Sequence, residues 1–218
     1  PAREISGDFY DFYLHDDEVY FTLSDVSGKG VNAGMVMAKA ITLFKIFAKQ
    51  KFKPNEILLE MNNDLKETNP SGTFITSIVG RYNIKSDLVE IANAGHQPAL
   101  LKVEKEFQEF ASSSVPLALT KHKNENVYQL ESFKLNGGRI YCFTDGFSEC
   151  MDENRQEIGI EGVKDLILKH ENRSLKKELE NATEEIRLKT LKTGTLEKGI
   201  KENNDILDDD LTIIGIGK

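Results

Sequence analysis

The sequence predicts an α+β fold in which two antiparallel β-sheets pack face to face with α-helices outside them. Three observations carry this expectation. The middle of the chain holds six short segments rich in β-branched and aromatic residues, each bounded by turn formers; helical periodicity flanks that run on both sides; and a last apolar strand closes the chain. Spacing this close favours meanders, because parallel strands need a crossover of a dozen or more residues.

In Glu18 to Asp25, Val19, Phe21 and Leu23 alternate with Tyr20, Thr22 and Ser24, the period-two pattern of a strand with one face in a core. Asp25 falls at its end. From Asn32 to Lys49, Ala33, Met37, Ala40, Ile41, Phe44 and Ala48 follow helical spacing, while Val36, Ala38 and Ile46 lie on other faces, so this helix is expected to be largely buried. Pro54 opens a second helix where a missing N–H costs least, with Ile57, Leu58, Met61 and Leu65 as its apolar stripe, packed antiparallel to the first. The six expected strands are Phe74 to Tyr82, Leu88 to Ala92, Pro98 to Val103, Phe107 to Ala111, Val127 to Leu135, and Arg139 to Phe143. Two later helices are expected, Ile160 to His170 and Leu175 to Lys192, the second capped by Ser174. A polar loop from Thr193 to Asn204 and a strand from Leu211 to Ile216 complete the expectation of a single domain across 1–218.

Composition narrows the function classes. Of 218 residues, 36 are acidic and 28 basic, a net charge of −8, which argues against a nucleic-acid partner because phosphate-backbone binding draws on concentrated Lys and Arg. No apolar run approaches the roughly 18 residues that span a bilayer, so no membrane contact is expected of this segment. With only Cys142 and Cys150, a disulfide framework is not expected, both thiols read as small hydrophobic residues, and a cytoplasmic location follows.

Four acidic positions share a context of turn formers at strand ends: Asp8 in Ser6-Gly7-Asp8, Asp25 in Asp25-Val26-Ser27-Gly28, Asp145 in Thr144-Asp145-Gly146, and Asp209 in Asp208-Asp209-Asp210. Antiparallel strands can bring such ends to one rim. Carboxylates about 4 Å apart repel by a few kcal/mol at an effective dielectric near 20, so a cluster of this kind implies bound cations. Carboxylates, carbonyls and waters suit Mg²⁺ or Mn²⁺; Zn²⁺ would call for His or Cys at close spacing, which His15, His96, His122 and His170 do not show. Two hard cations sharing a carboxylate acidify a water for attack on phosphorus. Singly, each of these acids also reads as an ordinary turn residue. The loop Gly28-Lys29-Gly30 is not a P-loop: Leu23 stands where its first glycine belongs, and Gly30 follows the lysine. The acidic run is not an EF-hand either, since from Asp205 the glycine position holds Asp210 and the closing Glu position holds Ile216.

Six segments in order resemble the metal-dependent protein phosphatases of the protein phosphatase 2C group, in the bacterial branch named for the stage II E sporulation phosphatase. They are Glu4 to Asp11; Asp25 to Ala33 with Met37-Ala38; Phe74-Ile75-Thr76; Asn93 to Pro98; Phe143 to Glu149; and Asp209 to Thr212. The resemblance implies the αββα sandwich of that group and a serine/threonine phosphatase using two or more Mn²⁺ or Mg²⁺ ions and a metal-activated water. It implies Asp25 as the bridging carboxylate with the Val26 carbonyl as a further ligand, Asp8 at the second metal, and Asp145 and Asp209 as remaining ligands of the first. Asp210 then supports the site, with a one-residue shift substituting Asp208 or Asp210 for Asp209. Gly28 and Gly30 serve close backbone approach, and the turn Asn93 to His96 is structural.

By resemblance the substrate is a phosphorylated anti-sigma-factor antagonist. Activation by an N-terminal helical linker through homodimerisation would fit the branch, although the sequence itself does not show it. Relatives usually place two glycines before the first aspartate, where Ser6 stands for one, and carry a preceding strand and helix; the chain is therefore expected to be a fragment lacking its first strand and upstream regulatory segment. Two other classes stay open: a non-catalytic phosphoprotein-binding module on the same fold, and a two-metal nuclease or nucleotide hydrolase, which the acidic balance disfavours.

Overall fold

The computed structural model describes residues 7–68, 72–112, 114–152, 154–197 and 210–217. In chain order the elements are strands β1 (Asp8–His15) and β2 (Glu18–Val26), helices α1 (Val31–Lys49) and α2 (Pro54–Thr68), then strands β3 (Ile75–Asn83), β4 (Leu88–Ala94), β5 (Ala99–Val103) and β6 (Glu106–Phe110). A 3₁₀ turn, Glu125–Val127, precedes β7 (Leu130–Lys134) and β8 (Arg139–Phe143), followed by α3 (Asp145–Ser148), α4 (Gly159–Lys169), α5 (Leu175–Glu197) and β9 (Ile213–Gly217). One sheet has the order β1-β2-β3-β4-β7 and the other β6-β5-β8-β9, with every pairing antiparallel.

Three apolar layers separate these elements, as the predicted sandwich requires. Tyr20, Val26, Val79 and Ala92 pack against Ala40, Phe44, Ile57 and Leu58 of α1 and α2. Phe21, Leu23, Ile78 and Ile91 meet Leu101, Ile140 and Cys142 between the sheets. Leu100, Tyr141 and Phe143 lie beneath Val163, Leu166, Ile167 and Ile186 of α4 and α5. The five-stranded sheet is thus covered on both faces, which corrects the one-faced reading of β2. Thr22 and Ser24 are buried too, and there they satisfy each other: Ser24 Oγ lies 2.8 Å from Ser77 Oγ, and the Thr22 hydroxyl donates to the Ile78 carbonyl at 3.0 Å.

By length and composition α1 is apolar enough to cross a membrane. Its Ala33, Val36, Ala40, Leu43, Phe44 and Ala48 are buried in the first layer, whereas Val31 and Met35 are 68% exposed and Ile46 43%, so α1 buries one face rather than being largely buried as expected. Lys39 of α1 pairs with Asp64 near the end of α2 at 2.5 Å, so the two helices run antiparallel as expected. The start of α2 is set locally: Pro54 occupies the first turn, and Glu56 reaches back to accept the Lys53 N–H at 2.7 Å.

Several boundaries differ from expectation. β1 has no counterpart among the expected elements, because its apolar residues lie on both faces: Phe9 is buried, whereas Tyr10 and Phe12 are 61% and 65% exposed. β7 is shorter than its segment, whose first residue, Val127, closes the 3₁₀ turn. Asp145–Ser148 closes into a helical turn, and α5 continues through Thr193 to Glu197, where a loop was expected; Lys198 to Asn204 lie outside the described residues. Both cysteines are buried, and burial pushes the Cys142 thiol up to about 12.

α5 is anchored on the second sheet through one charge. Glu178, 1% exposed, accepts from Arg139 Nη1 at 2.5 Å, from the Asn172 N–H at 3.1 Å and from the Tyr141 hydroxyl. Removing it strands a guanidinium and a phenol, although Arg139 keeps the carbonyls of Asn172 and Arg173. Glu178→Ala is expected to lower unfolding stability by about 3 kcal/mol in urea titration, with Glu178→Gln clearly less damaging.

Candidate metal centre

Asp8 opens β1 and Asp25 lies near the end of β2, and the register sets them directly opposite one another. Directly opposed residues share a face, and Asp25 lies two and four residues beyond Leu23 and Phe21, which fill the layer between the sheets. Both carboxylates therefore sit at the rim of that layer. From the other sheet, the Thr212 hydroxyl donates to Asp8 Oδ2 at 2.9 Å, and Thr144 supplies a second hydroxyl. The two threonines clasp each other: the Thr144 N–H donates to the Thr212 carbonyl at 3.0 Å, and the Thr212 N–H to Thr144 Oγ1 at 3.2 Å.

Burial pushes the Asp8 carboxyl up to about 7, and the charges of Asp25 and Asp210 add to the effect against the two threonine bonds. Gly7 shows how closely the donors gather. A methyl group there would stand 2.7 Å from both Asp25 Oδ1 and the Val26 carbonyl oxygen, so only glycine leaves that cradle open. Gly7 also accepts the Val26 N–H at 3.1 Å. The following loop is pinned to the strand beside it, since Ser27 donates its N–H to the Phe74 carbonyl at 2.9 Å and accepts the Phe74 N–H on its hydroxyl at 2.8 Å. Gly28 and Gly30 have φ of 90° and 88°, the left-handed region glycine favours.

Asp145 follows the end of β8, next to Thr144, and begins α3; its carbonyl accepts the Ser148 hydroxyl at 3.1 Å and the Glu149 N–H at 2.8 Å. A methyl at Gly146 would collide with the Asp210 carbonyl, which places the acidic run against this turn. The structure thus brings Asp8, Asp25, the Val26 carbonyl and Asp210 into one neighbourhood, with Asp145 one residue from a threonine that bonds Asp8. Asp209 and Asp208 lie outside the described residues. Among the described residues no three His, Cys, Asp or Glu side chains form a ready metal cage. The oxygen donors present, two opposed acids and a carbonyl, nevertheless fit a hard divalent cation, whose charge would offset the repulsion that raises Asp8.

Sequence reading missed Thr144 and Thr212 as supports of Asp8 and Gly7 as the required opening, although Gly7 and Thr144 each adjoin an aspartate singled out above and Thr212 lies two residues after Asp210. The turn Asn93 to His96 is structural, as expected: Asn93 Oδ1 accepts the His96 N–H at 2.8 Å, and its amide donates to the His96 and Gln97 carbonyls at 3.3 and 3.1 Å.

Two antiparallel sheets between helical layers, with an acidic rim, define the protein phosphatase 2C class of fold. The SiaA-PP2C domain of Pseudomonas aeruginosa matches with a TM-score of 0.80 at 19% identity, over 100% of this chain and 83% of that one. RsbX in complex with magnesium matches with a TM-score of 0.68 at 17% identity, over 98% and 87%. The family model described as Stage II sporulation protein E (SpoIIE) matches residues 15–217, and the chain belongs to that family. It is 26% identical over 154 residues to phosphoserine phosphatase RsbU of Bacillus subtilis (strain 168), covering 71% of this chain and 46% of the relative, so it spans about half the length of that curated relative.

A raised acid has a defined pH signature. The Asp8 pKa stands at about 7 against an ordinary 3.8, so without metal the folded state binds the extra proton between those values. Stability from this group is complete below the lower value and is lost as pH rises through the upper. Melting in chelator should therefore show the wild type losing stability relative to Asp8→Asn across that window, about 2–4 °C for each kcal/mol, and Mn²⁺ should raise the wild type more than the variant.

Proposed function

We propose that the chain is a metal-dependent protein serine/threonine phosphatase, and that its substrate is a phosphoserine or phosphothreonine on a regulatory protein of the anti-sigma-factor-antagonist class. The observation that carries this reading is the opposition of Asp8 and Asp25 at the sheet junction, beside the Val26 carbonyl, with Asp8 bonded to the threonine clasp whose Thr144 precedes Asp145. Membership of the SpoIIE family and likeness to a relative named phosphoserine phosphatase support it. Magnesium in the structure of RsbX supports the choice of a hard cation.

Two or more Mn²⁺ or Mg²⁺ ions, when bound, supply the activated water and the positive charge that in-line displacement at phosphorus needs. The chain supplies the rest. Asp25, the Val26 carbonyl and Asp145 would hold the cations, with Asp209 of the acidic run as a further ligand. Asp8 is oriented by Thr144 and Thr212, and its affinity for a proton near neutrality suits it to retain or release one as the centre fills. Lys29 is exposed on the glycine loop beside the rim, where a phosphate anion approaches.

The test is phosphate release from a phosphorylated antagonist protein in Mn²⁺. Asp25→Asn and Asp145→Asn are each expected to lower the rate at least about 100-fold with the fold intact by circular dichroism. Undiminished turnover in either variant rejects the assignment, and tight binding of the phosphoprotein without turnover by the wild type at saturating Mn²⁺ would assign a binding module instead.

A further inference from the structure

The chain passes from β4 of one sheet to β5 of the other through residues 95–98, and His96 lies in that crossover. Its side chain is enclosed, with the residue only 8% exposed, and no part of the mechanism above uses it. The Thr76 hydroxyl and His96 Nδ1 are 2.8 Å apart. Thr76 is the β3 residue paired directly with Asp25. On the opposite side the imidazole approaches the backbone carbonyl of Phe143, the last residue of β8, two positions before Asp145. That approach is electrostatic, since Nε2 is buried without a partner in hydrogen-bond geometry. The crossover itself is rigid: Asn93 ties the His96 N–H and carbonyl, and Gly95, at φ 71°, donates its N–H to Ser112 Oγ at 2.8 Å.

We propose that His96 is a positioning residue for the metal centre, a neutral strut between Thr76 on one sheet and the end of β8 on the other that sets the spacing between Asp25 and Asp145. The inference rests on the phosphatase reading. In the tautomer in which the Thr76 hydroxyl donates to Nδ1, the ring proton lies on Nε2, on the Phe143 side. An imidazolium would bury an uncompensated charge, and burial accordingly holds the His96 pKa down at about 4, so the strut is neutral at neutral pH. A side chain bonded to Thr76 on one side and enclosed against the end of β8 on the other fixes ligands it never touches, as outer-shell partners do in metal sites.

The experiment measures Mn²⁺ affinity of the whole chain by titration calorimetry without substrate, beside phosphate release from the phosphorylated antagonist. His96→Leu is expected to weaken Mn²⁺ binding about tenfold or more, and the gentler Thr76→Val to weaken it several-fold in the same direction. Half-saturating Mn²⁺ for turnover should rise in step, while KM for the phosphoprotein holds. His96→Asn, which keeps a polar atom near the Nδ1 position, should recover part of the loss. Wild-type Mn²⁺ affinity in both His96→Leu and Thr76→Val, with only a lower melting temperature, overturns the strut and leaves the phosphatase reading standing. A wild type that neither binds Mn²⁺ nor releases phosphate removes both.

Discussion

Everything at the functional rim follows from placing two carboxylates face to face where two sheets meet. Asp8 and Asp25 are register partners, partly withdrawn from water, with Asp210 near enough to add to the field. Like charges so placed are tolerable only if something answers them. Two threonine hydroxyls from the other sheet answer in part, and a proton on Asp8 answers further near neutrality. A divalent cation would answer more fully, using oxygen donors that already converge. The cluster's cost to the metal-free fold is thus the source of its affinity for metal.

The three apolar layers make that arrangement rigid. β2 is the hinge of the design, because its successive side chains enter different layers: Tyr20 toward the helices, Phe21 and Leu23 toward the second sheet. A slip of one residue in its pairing would send Asp25 to the helical face and Ser24 to the rim. The buried hydroxyls of Thr22, Ser24 and Ser77 oppose such a slip, since their mutual bonds form only in the observed register. The glycines then admit what the register brings together, Gly7 by lacking a methyl where Asp25 and Val26 converge.

Much of this was legible in the sequence, and the reasons differ by feature. The acids at strand ends stood out because carboxylates beside turn formers are chemically distinctive, and the structure sets Asp8 opposite Asp25 with Asp210 close by. The layers were readable because strand and helix periods differ. β1 was not, since an edge strand with Phe9 inward and Tyr10 and Phe12 exposed carries no single-faced pattern. Nor was the burial of both faces of β2, because Thr22 and Ser24 look solvent-facing until Ser77 is brought beside them by pairing. Thr144 and Thr212 are 68 residues apart, and their clasp exists only once β8 and β9 pair. Contacts of this separation are set by topology, which local pattern does not encode.

Asp8 and His96 occupy the same rim and respond to pH in opposite senses. The raised Asp8 carboxyl withdraws stability from the metal-free fold as pH climbs toward about 7. The depressed His96 imidazole does the reverse: its ordinary value of 6.5 falls to about 4 on folding, so its contribution is present above the upper value and is lost as pH falls toward the lower. Near neutrality the strut is at full strength and the acid is poised between its two forms. A structure that holds its scaffold neutral while leaving Asp8 ionisable keeps the geometry constant as the charge at the rim changes, and this is the condition under which a cation would alter the electrostatics there without first having to rebuild its shape.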